Sequence, residues 1–181
     1  MTGSFYAFRK TIDELKKLVG LNAKVIPIMS NNAYSIDTKF GKAEDFINEI
    51  ENITQTRILH NIQEVELLGP KDMLDILIIA PATGNTIAKL ANDIIDGPAT
   101  IAVKSHLRRE RPVVIAVSTH SGLSSSAENI GKLLNRTNYY FVPFRQDNPI
   151  TKPRSIAFEP SYLIKSMEYA LDGEQIQPIL L

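Results

Sequence analysis

The residue types and spacings best suited to chemistry fall in one turn. In IIAPATGNTIAKLAND, residues 78–93, an apolar run meets Pro81, passes through Thr83, Gly84, Asn85 and Thr86, and resumes with Ile87, Leu90, Ala91, Ile94 and Ile95 at helical spacing. Pro81 cannot donate to a strand ladder, Gly84 permits positive φ or close approach of a ligand, and Asn85 is a suitable N-cap for the helix that follows. Thr83, Asn85 and Thr86 would then face an anion or a carbonyl at a helix N-terminus, which behaves as roughly half a positive charge. The same residues also describe an ordinary capped strand-to-helix turn, so the surrounding elements have to decide between the two readings.

Those elements alternate. Phe5, Phe8, Ile12, Leu15, Leu18 and Val19 recur at helical spacing, with Arg9, Lys10, Asp13, Glu14, Lys16 and Lys17 on the other side. AKVIPIM (23–29) reads as a strand and KAEDFINEIENIT (42–54) as a helix. LDILIIA (74–80) and PVVIAVS (112–118) are near-continuous apolar runs, the pattern of strands buried on both faces of a parallel sheet. SSAENIGKLLN (125–135) reads as a helix, YYFVPF (139–144) as a strand and SYLIKSMEYAL (161–171) as a closing helix. This order predicts an α/β fold, a three-layer doubly wound parallel sheet of flavodoxin-like or Rossmann-like type, in one domain spanning 1–181.

In such a sheet ligands sit beyond the carboxyl ends of the strands. The residues there are Thr2, Gly3 and Ser4; Ser30, Asn31 and Asn32; Pro81 to Thr86; and Ser118 to Ser121. All are small, polar and uncharged, or backbone-exposing. They suit a phosphate, a polyhydroxylated chain or a planar heterocycle with many acceptors.

Composition narrows the chemistry further. The chain has 181 residues, 44% of them hydrophobic, with 20 basic and 20 acidic side chains. Zero net charge gives no electrostatic reason to expect nucleic acid or an anionic membrane as partner. No apolar run approaches the roughly 18 residues of a membrane span, and MTGSFYAFRK lacks the order of a signal peptide, so a cytoplasmic location is the default expectation. There is no cysteine, hence no disulfide, thiolate nucleophile or cysteine-held zinc, and no metal site is expected.

PATGNTIAKLAND resembles the Pro-Ala-Ser/Thr-x-Asn-Thr-x-x-Lys signature of the homo-oligomeric flavin-containing Cys decarboxylase superfamily. TGSF (2–5), DTKFG (37–41), LLGPKDMLDILIIAPATGNTIAKLAND (67–93), RPVVIAVST (111–119) and FVPFRQDNPITKPRS (141–155) are similar to one branch of it, the dipicolinate synthase B subunits. The resemblance implies a flavodoxin-like sheet binding FMN between subunits of a trimer or dodecamer. Gly3, Ser4 and Ser30 would hold the phosphate and ribityl oxygens. Ala82, Thr83, Gly84, Asn85 and Thr86 would lie against the isoalloxazine, with Ser118 and Thr119 facing the pocket from the next strand. For every serine and threonine among these, a local backbone bond at a turn is the bland alternative.

Two departures from the superfamily pattern matter. Its decarboxylases carry a catalytic histidine in a segment of the type His-x-Glu-Leu, whereas the segment here is EVEL (64–67), with Glu64 at that position. His60, His106 and His120 lie elsewhere. The acid/base group of a stand-alone decarboxylase is therefore missing. Relatives also have an apolar strand before the Thr-Gly-Ser turn, while this chain opens with Met1 at that turn, and weak flavin binding or poor solubility is expected of it in that form.

The branch implies a flavoprotein that works with the A subunit of dipicolinate synthase in the mother cell during sporulation. Together they would oxidise a cyclic dihydrodipicolinate precursor to pyridine-2,6-dicarboxylate. The dicarboxylate substrate calls for cations: Arg145, Lys152 and Arg154 in an ordered loop over 145–154 are candidates, and Arg108, Arg109 and Arg111 read instead as a solvated helix end. A stand-alone FMN-dependent decarboxylase or prenyltransferase and a flavin-free scaffold protein are the alternatives.

Overall fold

The computed structural model describes residues 1–68 and 73–181; GPKD, at 69–72, lies outside the described residues. The helices are α1 (Phe8–Gly20), α2 (Asn31–Ser35), α3 (Ala43–Thr54), α4 (Ile62–Glu66), α5 (Gly84–Ala91), α6 (Pro98–Leu107), α7 (Ala127–Leu134) and α8 (Leu163–Leu171). The strands are β1 (Leu77–Ala82), β2 (Val113–Thr119), β3 (Tyr139–Phe141), β4 (Phe144–Asn148) and β5 (Lys152–Phe158). They form a five-stranded sheet in the order β1-β2-β5-β4, with β3 pairing β2.

The parallel part is β1-β2-β3, in register Leu77↔Val113 and Val113↔Tyr139. β2 is buried along its whole length, as its unbroken apolar run predicts. Its side chains alternate between two cores. Val113, Ile115 and Val117 pack with Ile87 and Leu90 of α5, Val103 of α6 and Leu133 of α7. Val114 and Ala116 pack instead with Leu18 of α1 and with Leu163 and Ala170 of α8. Helices therefore cover both faces, which is the expected three-layer α/β architecture. Complete burial of a side chain such as Ile115 contributes about 1.5–3 kcal/mol.

The sheet departs from the expectation of an all-parallel one. Residues 145–154, expected as a loop, form an antiparallel hairpin: β4 pairs β5, and β5 pairs the end of β2 through Ser118↔Ala157 and Thr119↔Ile156. Its outer residues Arg145 to Asn148 are exposed, so charge and proline flanks conceal a strand that needs only one buried edge. The expected strand at 139–144 divides accordingly into β3 and the start of β4.

The expected strand at 23–29 is reduced to a single bridge, Ile28↔Leu59. Its other side faces an apolar groove of about 580 Å³, whose opposite wall is the outer edge of β1, including Ile76, Ile78 and Ala80. Among the described residues, backbone bonds bridge the gap at the top of this groove. The Met1 amine donates to Ile28 O (2.5 Å), Ser30 N–H to Met1 O (3.0 Å) and Thr2 N–H to Pro81 O (3.2 Å). Without ladder partners below that point the segment does not close into a strand.

α1 lies on the sheet as its periodicity predicts, with Phe8, Ile12 and Leu18 buried; Glu14, expected outside, is buried at the helix border and accepts from Lys17 Nζ at 2.6 Å. Among the described residues no helix is long and apolar enough to cross a membrane.

Candidate functional site

The carboxyl ends of β1 and β2 and the first turn of the chain meet at one place. Thr2 links them: its Oγ1 donates to Pro81 O (2.8 Å) and accepts from Thr83 N–H (3.0 Å). Ser4 Oγ reaches Ser118 O at 3.0 Å and Ser118 Oγ at 3.1 Å. The predicted groups Gly3 and Ser4, Ala82 to Thr86, and Ser118 and Thr119 are thus brought together. Ser30 joins them through the bond from its backbone N–H to Met1 O. Sequence reasoning did not single out Thr2 from the first turn, although its position directly before Gly3 was the available signal.

Within the central turn the cap differs from expectation. Thr83 is the N-cap of α5: its Oγ1 accepts from Thr86 N–H at 3.1 Å and lies 2.9 Å from Thr86 Oγ1. Asn85 is therefore not a cap but a first-turn residue, exposed, with its side-chain amide making no hydrogen bond among the described residues. The Gly84 and Asn85 N–H groups belong to the first turn of α5, whose donors have no intrahelical acceptor. Gly84 does not adopt positive φ; its value is space. An added Cβ would lie 2.6 Å from Thr119 Oγ1 and 2.7 Å from Ser126 Oγ, so glycine lets the turn pack directly on the end of β2.

Other hydroxyls are committed to the protein's own bonds. Ser30 Oγ caps α2 by accepting from Ala33 N–H (3.4 Å). Ser118, 1% exposed, donates to the Tyr6 hydroxyl at 2.7 Å. Thr119 Oγ1 meets Ser121 Oγ at 3.2 Å, which in turn meets Ser126 Oγ at 2.7 Å. What is exposed at this edge is Asn85, with the backbone N–H groups of Gly84 and Asn85 and the half-buried Thr83 and Ser121 beside it. That donor set fits a phosphate or the carbonyl and ring-nitrogen atoms of a flavin, and supplies no charged base.

Of the predicted cations, two are already paired. Arg145 meets Glu159 at 2.9 Å and Lys152 meets Asp147 at 2.8 Å. The Lys152 hydrogen bond holds the Asp147 carboxyl below the usual carboxylate range and raises the Lys152 ammonium in return. Arg154 is exposed; its backbone carbonyl accepts from Leu123 N–H, and its guanidinium makes no ion pair among the described residues. Two of the three predicted cations are thus already balanced by carboxylates.

Glu64, at the position of the decarboxylase histidine, lies in α4. Its carboxyl is lowered by the backbone N–H of His60 and also by Asn61 and Arg57, so it is an ionised acceptor rather than a proton donor. His60 stacks on Tyr34 with ring centroids 3.8 Å apart.

Known proteins match the chain along its length. The chain matches the Flavoprotein family over residues 1–157. It is 37% identical over 181 residues to the B subunit of dipicolinate synthase from Bacillus subtilis (strain 168), covering all of this chain and 90% of that protein. The crystal structure of the dipicolinate synthase B subunit from Bacillus halodurans superposes with a TM-score of 0.90 at 39% identity, over 99% of this chain and 92% of that one. The FMN-dependent cysteine decarboxylase SpaF shares the fold, with a TM-score of 0.69 at 21% identity over 94% of this chain and 91% of its own. By fold and sequence the chain belongs to the Flavoprotein family and, within it, groups with the dipicolinate synthase B subunits.

Proposed function

We propose that this chain is the flavin-binding half of a two-subunit dipicolinate synthase and that it holds FMN at the turn of α5. The observation that carries the reading is that turn itself. Thr83 takes over the cap and engages the Thr86 N–H, and this leaves the Asn85 side-chain amide and the backbone N–H groups of Gly84 and Asn85 without a partner among the described residues. Thr2, Gly3 and Ser4 approach from one side and the Ser118–Thr119 end of β2 from the other. Bound there, FMN would supply a two-electron acceptor, and the chain would supply orientation and exclusion of water.

The reaction is oxidation of a dihydrodipicolinate-type ring to dipicolinate in concert with the A subunit of the synthase, in the cytoplasm of the sporulating mother cell, within a trimeric or dodecameric assembly. The missing decarboxylase histidine, replaced by an ionised Glu64, favours this over autonomous decarboxylation. A second reading, a flavin-free protein that positions the A subunit, draws on the engagement of Ser4, Ser30, Ser118 and Thr119 in internal bonds. Titration of the chain with FMN, alone and with the A subunit, separates them. Quenched flavin fluorescence that is lost in Asn85→Ala supports the first reading; fluorescence unchanged at saturating FMN in both preparations supports the second.

A further inference from the structure

An exposed histidine ordinarily turns freely, but His120, directly beyond the end of β2, is held. Tyr6 lies against its ring with centroids 5.5 Å apart and planes 21° from parallel. Its Nδ1 is 3.3 Å from Ser155 Oγ. Ser155 is 1% exposed and donates its single hydroxyl proton to Thr119 O at 3.4 Å. With that proton directed at Thr119 O, Ser155 Oγ is left to accept, an arrangement that favours the Nδ1–H tautomer of neutral His120 and a lone pair at Nε2. Tyr6 in turn accepts from Ser118 Oγ, which is bonded to Ser4, so the ring sits on the same hydroxyl chain as the first turn. The charged groups around it are Asp147 of β4, Lys152 of β5 and, beside Asp147, Lys10 of α1.

We propose that His120 Nε2 is the base that takes a ring proton from the substrate, with Ser155 and Tyr6 as positioning residues; this rests on the oxidation described above. Aromatisation of a dihydropyridine dicarboxylate removes hydrogen from two adjacent ring positions. One leaves with its bonding pair as a hydride, accepted by an oxidant of the flavin class. The other leaves as a proton to Nε2, and its bonding pair becomes the new ring double bond. The exposed imidazolium then returns the proton to water.

Two measurements test this. In the flavin-free chain, nitrogen NMR of His120 should show the Nδ1–H tautomer, and Ser155→Ala should abolish that preference. In the complex with the A subunit, FMN and a dihydropyridine-2,6-dicarboxylate, His120→Asn should lower kcat by about 10²- to 10⁴-fold, with FMN affinity unchanged. Tyr6→Phe keeps the ring and should retain most of the rate, whereas Tyr6→Ala should not. An Nε2–H tautomer, or a His120→Asn complex that turns over at the wild-type rate beside an active wild type, overturns this inference alone. A wild-type complex that binds no flavin overturns both it and the function on which it rests.

Discussion

Replacing Gly84 by alanine tests the join between the turn of α5 and the end of β2. The new methyl would sit 2.6 Å from Thr119 Oγ1, 2.7 Å from Ser126 Oγ and 3.3 Å from Ser121 Oγ. These three hydroxyls are bonded to one another, Thr119 to Ser121 and Ser121 to Ser126, so none can swing aside without losing a partner. Overpacking of this kind costs about 1–3 kcal/mol. Against it stands the helix preference of alanine over glycine, up to about 1 kcal/mol in a helix interior and less in a first turn. The clash wins, and a net loss of about 1–2 kcal/mol is expected, equivalent to roughly 2–8 °C in Tm for a chain of this size. Urea denaturation read by circular dichroism gives the first quantity, and FMN titration should show weakened binding in the same variant. Removing the two obstructing oxygens together, with Thr119→Ala and Ser126→Ala in the Gly84→Ala background, should give a favourable coupling energy of at least about 0.5 kcal/mol. A Gly84→Ala protein as stable as the parent, with no coupling to Thr119 or Ser126, would refute the close packing on which the site is built.

Three further outcomes follow from the same contacts. Ser118→Ala removes the donor to Tyr6 and one of the two oxygens facing Ser4, and should cost about 1 kcal/mol in equilibrium unfolding; no change would mean that the Ser4–Ser118–Tyr6 chain is not maintained in solution. In a chain whose first residue is Met1, burial lowers the terminal amine from 8.0 to about 5. The folded state therefore favours the neutral amine: this stability is present above pH 8 and declines as pH falls towards 5, by up to about 4 kcal/mol. Amino-terminal acetylation should flatten that slope in denaturation curves taken between pH 8.5 and 5, and an unchanged slope would place its origin elsewhere. Extending the chain ahead of Met1 by an apolar strand of about six residues should raise Tm, because the backbone bonds of Met1 and Thr2 direct such a strand down the groove between Ile28 and β1; an extension that leaves Tm and the pH slope untouched would show the groove to be filled otherwise.

The parts of the fold legible in the sequence were those governed by local patterning. LDILIIA and PVVIAVS lie at β1 and β2 because a strand buried on both faces needs an unbroken apolar run, and α1, α3, α7 and α8 follow their helical periodicity. What escaped depended on partners distant in the chain. The β4–β5 hairpin hides behind Arg145, Gln146 and Asp147 because its outward face is solvated, and its pairing with Ser118 and Thr119 cannot be seen from either segment alone. Residues 23–29 have strand composition, yet a strand also needs ladder partners, and among the described residues those are found near Ile28. In the site, the small polar turns were legible as a group. Which side chain caps α5 was not, since Thr83 and Asn85 are both good caps two residues apart and only the backbone geometry assigns the role to Thr83. The contact of His120 with Ser155, 35 positions away, has no local signature.

Whether the uncharged turns hold a flavin is decided by the visible spectrum of FMN mixed with the purified chain and the A subunit of the synthase. We expect a perturbed flavin band with quenched fluorescence, bleaching when the reduced ring substrate is added without oxygen, and loss of both effects in Asn85→Ala. A free-FMN spectrum at saturating concentration, from a complex that still forms dipicolinate, would contradict flavin binding here and assign the oxidation to the partner.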